Sequence, residues 1–95
     1  MRLRITDPAD RDLIELRRYG VRTYGERHAD AYLLALHEEF RWIMEWPLTS
    51  REHSEVRPPV RLRVFGAHNI LYKIAGDELA ILRVLHHSAD WINLL

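Results

Sequence analysis

The side chains that could do chemistry in this sequence are six histidines and thirteen arginines, against a single lysine and no cysteine. Histidine is the one side chain whose charge ordinarily changes near neutral pH, so His86-His87, followed by Asp90, is the first cluster to weigh. Three ligands within five residues at a strand end match no established metal pattern, and the absence of cysteine removes thiolate zinc sites, disulfides and a Cys nucleophile. No metal and no cofactor is expected. The guanidinium fork suits carboxylates and phosphates better than an ammonium does. Four basic residues, Arg57, Arg61, Arg63 and Lys73, fall within residues 56–73, which contain no acid, whereas residues 1–55 hold nine Arg and eleven Asp or Glu. The whole chain balances 14 basic against 14 acidic residues. A chain without basic excess is not built to grip DNA directly. Arg61 and Arg63 could dock the chain onto an anionic surface. The plainer reading places Arg61 and Arg63 on the solvent face of an amphipathic strand. Arg83, on an otherwise apolar strand, calls for an acidic partner, since an unpaired buried charge is costly. No Ser-His-Asp logic, phosphate-cradling glycine loop or dinucleotide fingerprint is present.

Ninety-five residues make one domain, 1–95, with a core that is possible but thin. Hydrophobic residues at 47% and charged residues at 29% exclude wholesale disorder and fibrous classes. No apolar run approaches the roughly 18 residues that span a bilayer, and Met1-Arg2-Leu3-Arg4 is not the start of a secretory signal. A cytoplasmic protein is expected. Residues 2–6 alternate polar and apolar, which predicts a short strand with Leu3 and Ile5 facing inward. Thr6 or Asp7 then caps a helix over about 8–24, with Pro8 at a position where its missing N–H costs nothing. Ala9, Leu13, Leu16 and Tyr19 form its apolar stripe. Ala29, Tyr32, Leu33, Leu36, Phe40, Ile43 and Met44 form a longer stripe on a second helix, which Trp46-Pro47 ends. A single Gly25 between the two predicts an antiparallel hairpin.

Residues 47–59 read as a loop rich in Pro, Ser and Thr. Val60, Leu62 and Val64 alternate with Arg61, Arg63 and Phe65; Ile70, Tyr72 and Ile74 alternate again beyond Gly66; and residues 79–85 are apolar on both faces except at Arg83. Three strands on short turns predict an antiparallel meander, covered on one face by the helices. The fold class is therefore α+β, in the order β-α-α-β-β-β. Trp91, Ile92, Leu94 and Leu95 make an unusually apolar terminus. The tail either docks on the chain's own sheet or presents an anchor to a target, with Trp91 the strongest hot-spot candidate; Trp42 and Trp46 read as core or edge packing.

Ala9, Asp12-Leu13, Leu16, Tyr19, Tyr24-Gly25, Ala29, Tyr32, Leu36, Phe40 and Pro47 stand together in a pattern that resembles the helix hairpin of ParE-type toxins. The second half resembles the same family in Arg61-Leu62-Arg63, Gly66-Ala67-His68, Leu71-Tyr72-Lys73-Ile74, Ile81-Leu82-Arg83-Val84-Leu85-His86 and Asp90. The run ending Arg-Val-Leu-His with a following Asp is the most specific part, and the tyrosine of the middle strand is next. One departure is the loop after Pro47, which has Pro58-Pro59 in place of the Gly-Arg often found there. The resemblance implies a β-α-α-β-β-β fold and the toxin half of a type II toxin–antitoxin system, one that inhibits DNA gyrase by binding and is neutralised by a ParD-like antitoxin. Promoter DNA would be reached only through the antitoxin, in a heterotetramer or larger assembly with no membrane component. Antitoxin contacts are expected at Leu13, Leu16 and Tyr19, with acidic side chains meeting Arg61 and Arg63. Gyrase contacts are expected at Arg83, His86, His87, Trp91, Leu94 and Leu95. The related RelE branch cleaves mRNA on the ribosome, and it is the alternative, in which Arg61, Arg63 and His87 would stabilise charge at the phosphodiester and transfer the proton. Beyond Arg83, however, this chain has no Lys, Arg or Tyr, which favours an inhibitor over an enzyme.

Overall fold

The computed structural model describes all residues from Met1 to Leu95. Strand β1 (Arg2–Ile5) runs into Thr6, whose extended backbone and side-chain oxygen cap helix α1 (Asp7–Tyr24) by accepting the Ala9 N–H at 3.3 Å. Pro8 lies in the first turn, where Asp7 and Asp10 also face the positive end of the helix dipole. Gly25, at φ 93°, is the whole connection to helix α2 (Glu26–Glu45). That φ is open to glycine and strained for other residues, so a one-residue reversal is possible here. Arg17 of α1 reaches Asp30 at 3.0 Å and Glu26 at 3.5 Å across the hairpin, which shows the two helices running antiparallel.

Beyond α2 come β2 (Glu52–His53), β3 (Val60–Phe65), β4 (His68–Ala75), β5 (Glu78–His86) and a single helical turn, α3 (Trp91–Leu94). The meander β3-β4-β5 is antiparallel as the alternation implies, but the sheet has five strands in the order β1-β5-β4-β3-β2. Strand β1 lies parallel to β5 in the register Arg2↔Glu78 to Ile5↔Ile81. Strand β2 adds two residues from the stretch 47–59 that reads as loop in the sequence.

Helices α1 and α2 cover one face of this sheet. Ala9, Leu13, Leu36, Phe40 and Ile43 meet Ile70, Tyr72, Leu79, Ile81 and Val84 in the main core. Phe40 and Tyr72 are the largest side chains wholly removed from water, and truncating Phe40 to Ala would cost about 3–5 kcal/mol. The Tyr72 hydroxyl donates to the Pro47 carbonyl at 2.8 Å, so the middle-strand tyrosine also ties down the chain leaving α2. A one-residue bulge in β5 shifts the register between Leu71↔Arg83 and Tyr72↔Ile81. The extra residue, Leu82, puts Ile81 and Val84 on the same face, although they are three apart. The reverse face carries a second cluster of Val60, Leu71 and Leu85, covered by Val56, Ala89 and Trp91.

This two-faced burial corrects the expectation for β3. Val60 and Leu62 face the second layer, so Arg61 and Arg63 turn toward the helices and not toward open solvent. Arg61 donates to the Ser50 carbonyl at 2.7 Å and lies 3.7 Å from Glu52. Arg63 donates to Glu39 of α2 at 2.7 Å and stacks 3.9 Å above the Trp42 ring, a charge pair and a cation–π contact together. Leu13, expected at an accessible edge, lies in the core.

Candidate functional site

Strand β1 ends at Ile5, whereas β5 continues to His86. Val84 sends its N–H to the Asp12 carboxylate at 3.0 Å, so it forms the non-hydrogen-bonded kind of pair with Ile70 and its backbone polar groups face the open edge. The same carboxylate accepts from Arg83 Nε at 2.7 Å and Nη2 at 2.9 Å. This forked pair answers the sequence's demand for an acid opposite Arg83, and the hydrogen bond to Asp12 raises the guanidinium's pKa further above its usual value. The remaining amine, Nη1, donates to the Leu94 carbonyl at 2.7 Å. One arginine thereby ties α1, β5 and the terminal turn together.

Between this uncovered end of β5 and the hairpin lies an open groove of about 730 Å³. Leu16 and Tyr19 of α1, Ala29 and Tyr32 of α2, and Val84 and His86 of β5 are among its lining residues. Its rim carries an exposed Glu15–Arg18 pair at 2.7 Å, of the kind worth little in water. Arg22, which also lines the groove, takes part in no ion pair.

The floor of the groove holds a feature that the sequence reading passed over. His68 opens β4 directly opposite His86, with the rings 5.8 Å apart, and the His87 ring is 4.3 Å from that of His86. The Tyr32 hydroxyl lies 2.7 Å from His68 Nδ1, and its ring packs edge-on against Phe65 and His68. Burial holds the His68 imidazole below its ordinary pKa of 6.5, with the neighbouring His86 and His87 adding to the effect. Burial also raises the Tyr32 phenol. Gly66, at φ 52°, allows the approach: a Cβ there would stand 2.7 Å from the Tyr32 hydroxyl. The signal in the sequence was the Gly66-Ala67-His68 turn, but its pairing with His86 depends on hairpin register.

The other residues singled out from the sequence are dispersed. Leu16 and Tyr19 line the groove, while Arg61 and Arg63 lie away from it and are already bonded. Arg61, Arg63 and His87 are not among the residues that line the groove. Trp91 is half-buried against the second cluster, 5.2 Å from the His53 ring, so the tail docks on its own sheet through this residue. Ile92, Leu94 and Leu95 stay about half exposed, and His86 and His87 are exposed at the strand end. Trp42 packs beneath Arg63, and Trp46 is exposed at the end of α2. No helix is long and apolar enough to cross a membrane.

The family model described as the ParE toxin of type II toxin–antitoxin system, parDE, matches residues 3–91. The chain belongs to the ParE toxin family. It is 29% identical over 80 residues to Toxin ParE3 of Caulobacter vibrioides (strain ATCC 19089 / CIP 103742 / CB 15), covering 84% of this chain and 80% of that protein. Its fold is also that of the structure described as a chromosomal ParDE TA system from P. aeruginosa, with a TM-score of 0.69 and 24% identity over 90% of this chain and 95% of the other. Asp12 and Arg83, which form the forked pair, both lie within the matched span.

Proposed function

We propose that this ParE-family toxin acts by binding DNA gyrase without catalysing a reaction, and that a ParD-like antitoxin silences it by laying an amphipathic segment into the groove between the hairpin and β5. The groove is the observation that carries the reading. It is open, it exposes Tyr19 and Tyr24 and half-exposes Leu16, and it is long enough along α1 for an apolar helix face. A thin-cored toxin gains stability by mass action when such a segment is bound. Arg61 and Arg63 are satisfied within the chain, so acidic antitoxin groups find better partners at the groove's rim, near Arg22. Ile92, Leu94 and Leu95, with His87, are the exposed side chains that the terminal segment offers gyrase, and Trp91 supports that segment from beneath. An antitoxin dimer carrying two toxins gives a heterotetramer or larger assembly.

Inducing the toxin alone should arrest growth with DNA-damage filamentation, and purified toxin should block gyrase supercoiling until antitoxin is added. Ribosome-dependent mRNA cleavage with gyrase untouched would overturn the reading. So would unchanged antitoxin affinity in a Tyr19→Asp variant.

A further inference from the structure

We propose that the floor of the groove at His68 and His86 is a carboxylate subsite, which holds one Asp or Glu side chain of the antitoxin segment. The inference rests on the antitoxin reading above and goes beyond it by naming the chemistry of the contact. The two imidazoles are register partners on adjacent strands, so the backbone fixes them side by side with rings 5.8 Å apart. In both rings Nδ1 is already engaged. The Ser88 backbone N–H donates to His86 Nδ1 at 3.2 Å, which makes that nitrogen an acceptor and leaves the proton of a neutral ring on Nε2. The Tyr32 hydroxyl donates to the Phe65 carbonyl at 3.3 Å, so at 2.7 Å it accepts from His68 Nδ1. Neither Nε2 has a partner in the chain, and no buried side-chain nitrogen is left unbonded, so His68 Nε2 opens onto the groove. With His68 protonated, the two Nε2–H groups are adjacent donors that match the two oxygens of a carboxylate.

Charges facing this point agree. From α1, Asp12 is consumed by Arg83 and the Val84 N–H, Glu15 has only its exposed pair with Arg18, and Arg22 is unpaired. From α2 come His28, against the Tyr24 ring, and Tyr32; from the end of β5 come His86 and His87. What remains unsatisfied is cationic or able to become so. A nucleic-acid phosphate is the poorer occupant, because a chain balanced at 14 basic and 14 acidic residues offers a polyanion no field. A seated carboxylate favours the imidazolium form, so binding takes up a proton and affinity rises as pH falls.

The test titrates the full-length toxin with its full-length ParD-like antitoxin, at about pH 8 and about pH 6, on either side of the imidazole range. Wild type should bind roughly fivefold or more tightly at the lower pH, since an opposite charge shifts an imidazole by about one unit or more. His86→Gln, and His68→Gln with His86→Gln, should still bind at the higher pH but lose most of that gain. The Cε1–H resonances of both histidines should titrate at higher pH in the complex than in the free toxin. Replacing the seated antitoxin acid by its amide should flatten wild type in the same way. Binding that is flat or reversed with pH, or a pH gain that survives the double variant, would overturn the subsite while leaving the antitoxin reading intact. Absence of binding at both pH values would overturn that reading and the subsite with it. Imidazole shifts produced by an RNA oligonucleotide and not by the antitoxin would reassign the site to phosphate.

Discussion

Replacing Asp12 by Ala should be among the most damaging single changes outside the apolar core. The carboxylate accepts three hydrogen bonds, at 2.7, 2.9 and 3.0 Å, two from Arg83 and one from the Val84 N–H. Its side chain is 13% exposed and that of Arg83 is 22% exposed, so the variant strands a guanidinium and a strand amide that water reaches poorly. A fully buried pair broken on one side costs about 3–5 kcal/mol. Discounting for partial exposure leaves about 2–4 kcal/mol, the sum expected from one lost charged pair and one uncapped N–H. In a domain of this size each kcal/mol moves the melting point by about 4–8 °C, so a drop of about 8–32 °C follows. The assay is urea unfolding followed by tryptophan fluorescence, run as a cycle with Arg83→Met. Removing the arginine takes away the stranded charge, so the double variant should be less destabilised than the two single variants added together, by about 1–2 kcal/mol of coupling. Asp12→Asn, which can still accept from Val84, should fall between wild type and Asp12→Ala. A loss below about 0.5 kcal/mol for Asp12→Ala, the range of an inert surface change, would refute the staple.

Two further outcomes follow from the same geometry. Trp91→Ala should cost about 1–2 kcal/mol through lost packing on Val60, Leu71 and Leu85, with antitoxin affinity unchanged; a thermal melt identical to wild type would show that the ring is not docked. Free toxin should lose stability as pH falls below the unfolded histidine value of 6.5, because the unfolded chain takes up a proton that burial denies to His68 in the fold. His68→Gln should flatten that slope in urea titrations between about pH 7.5 and 5.5, and an unchanged slope would assign the effect elsewhere.

Where spacing reports a local preference, the sequence was a sufficient guide. The Thr6 cap with Pro8, the stripe from Ala29 to Met44, the Gly25 reversal and the alternation of β3 and β4 each follow from backbone sterics or side-chain period, and each is present. The both-faces apolar run of β5 likewise announced a strand buried on two sides, and an apolar strand bearing Arg83 announced an acid. Which acid it was could not be read, because Asp12 lies 71 positions away in sequence. The same limit governs β1 and β2: two- and four-residue strands carry too little pattern to reveal their neighbours, and a parallel β1–β5 pair is closed by nearly the whole chain. Alternation on β3 could show that Val60 and Arg61 face opposite ways, but not which way is inward, since a second layer on the reverse face makes both sides interior. The bulge at Leu82 then sets which side chains of β5 meet the helices. Hairpin register brings His68 to His86. Periodicity is a property of one element, whereas the groove, the staple and the paired histidines are properties of how elements meet; only the tertiary structure decided those.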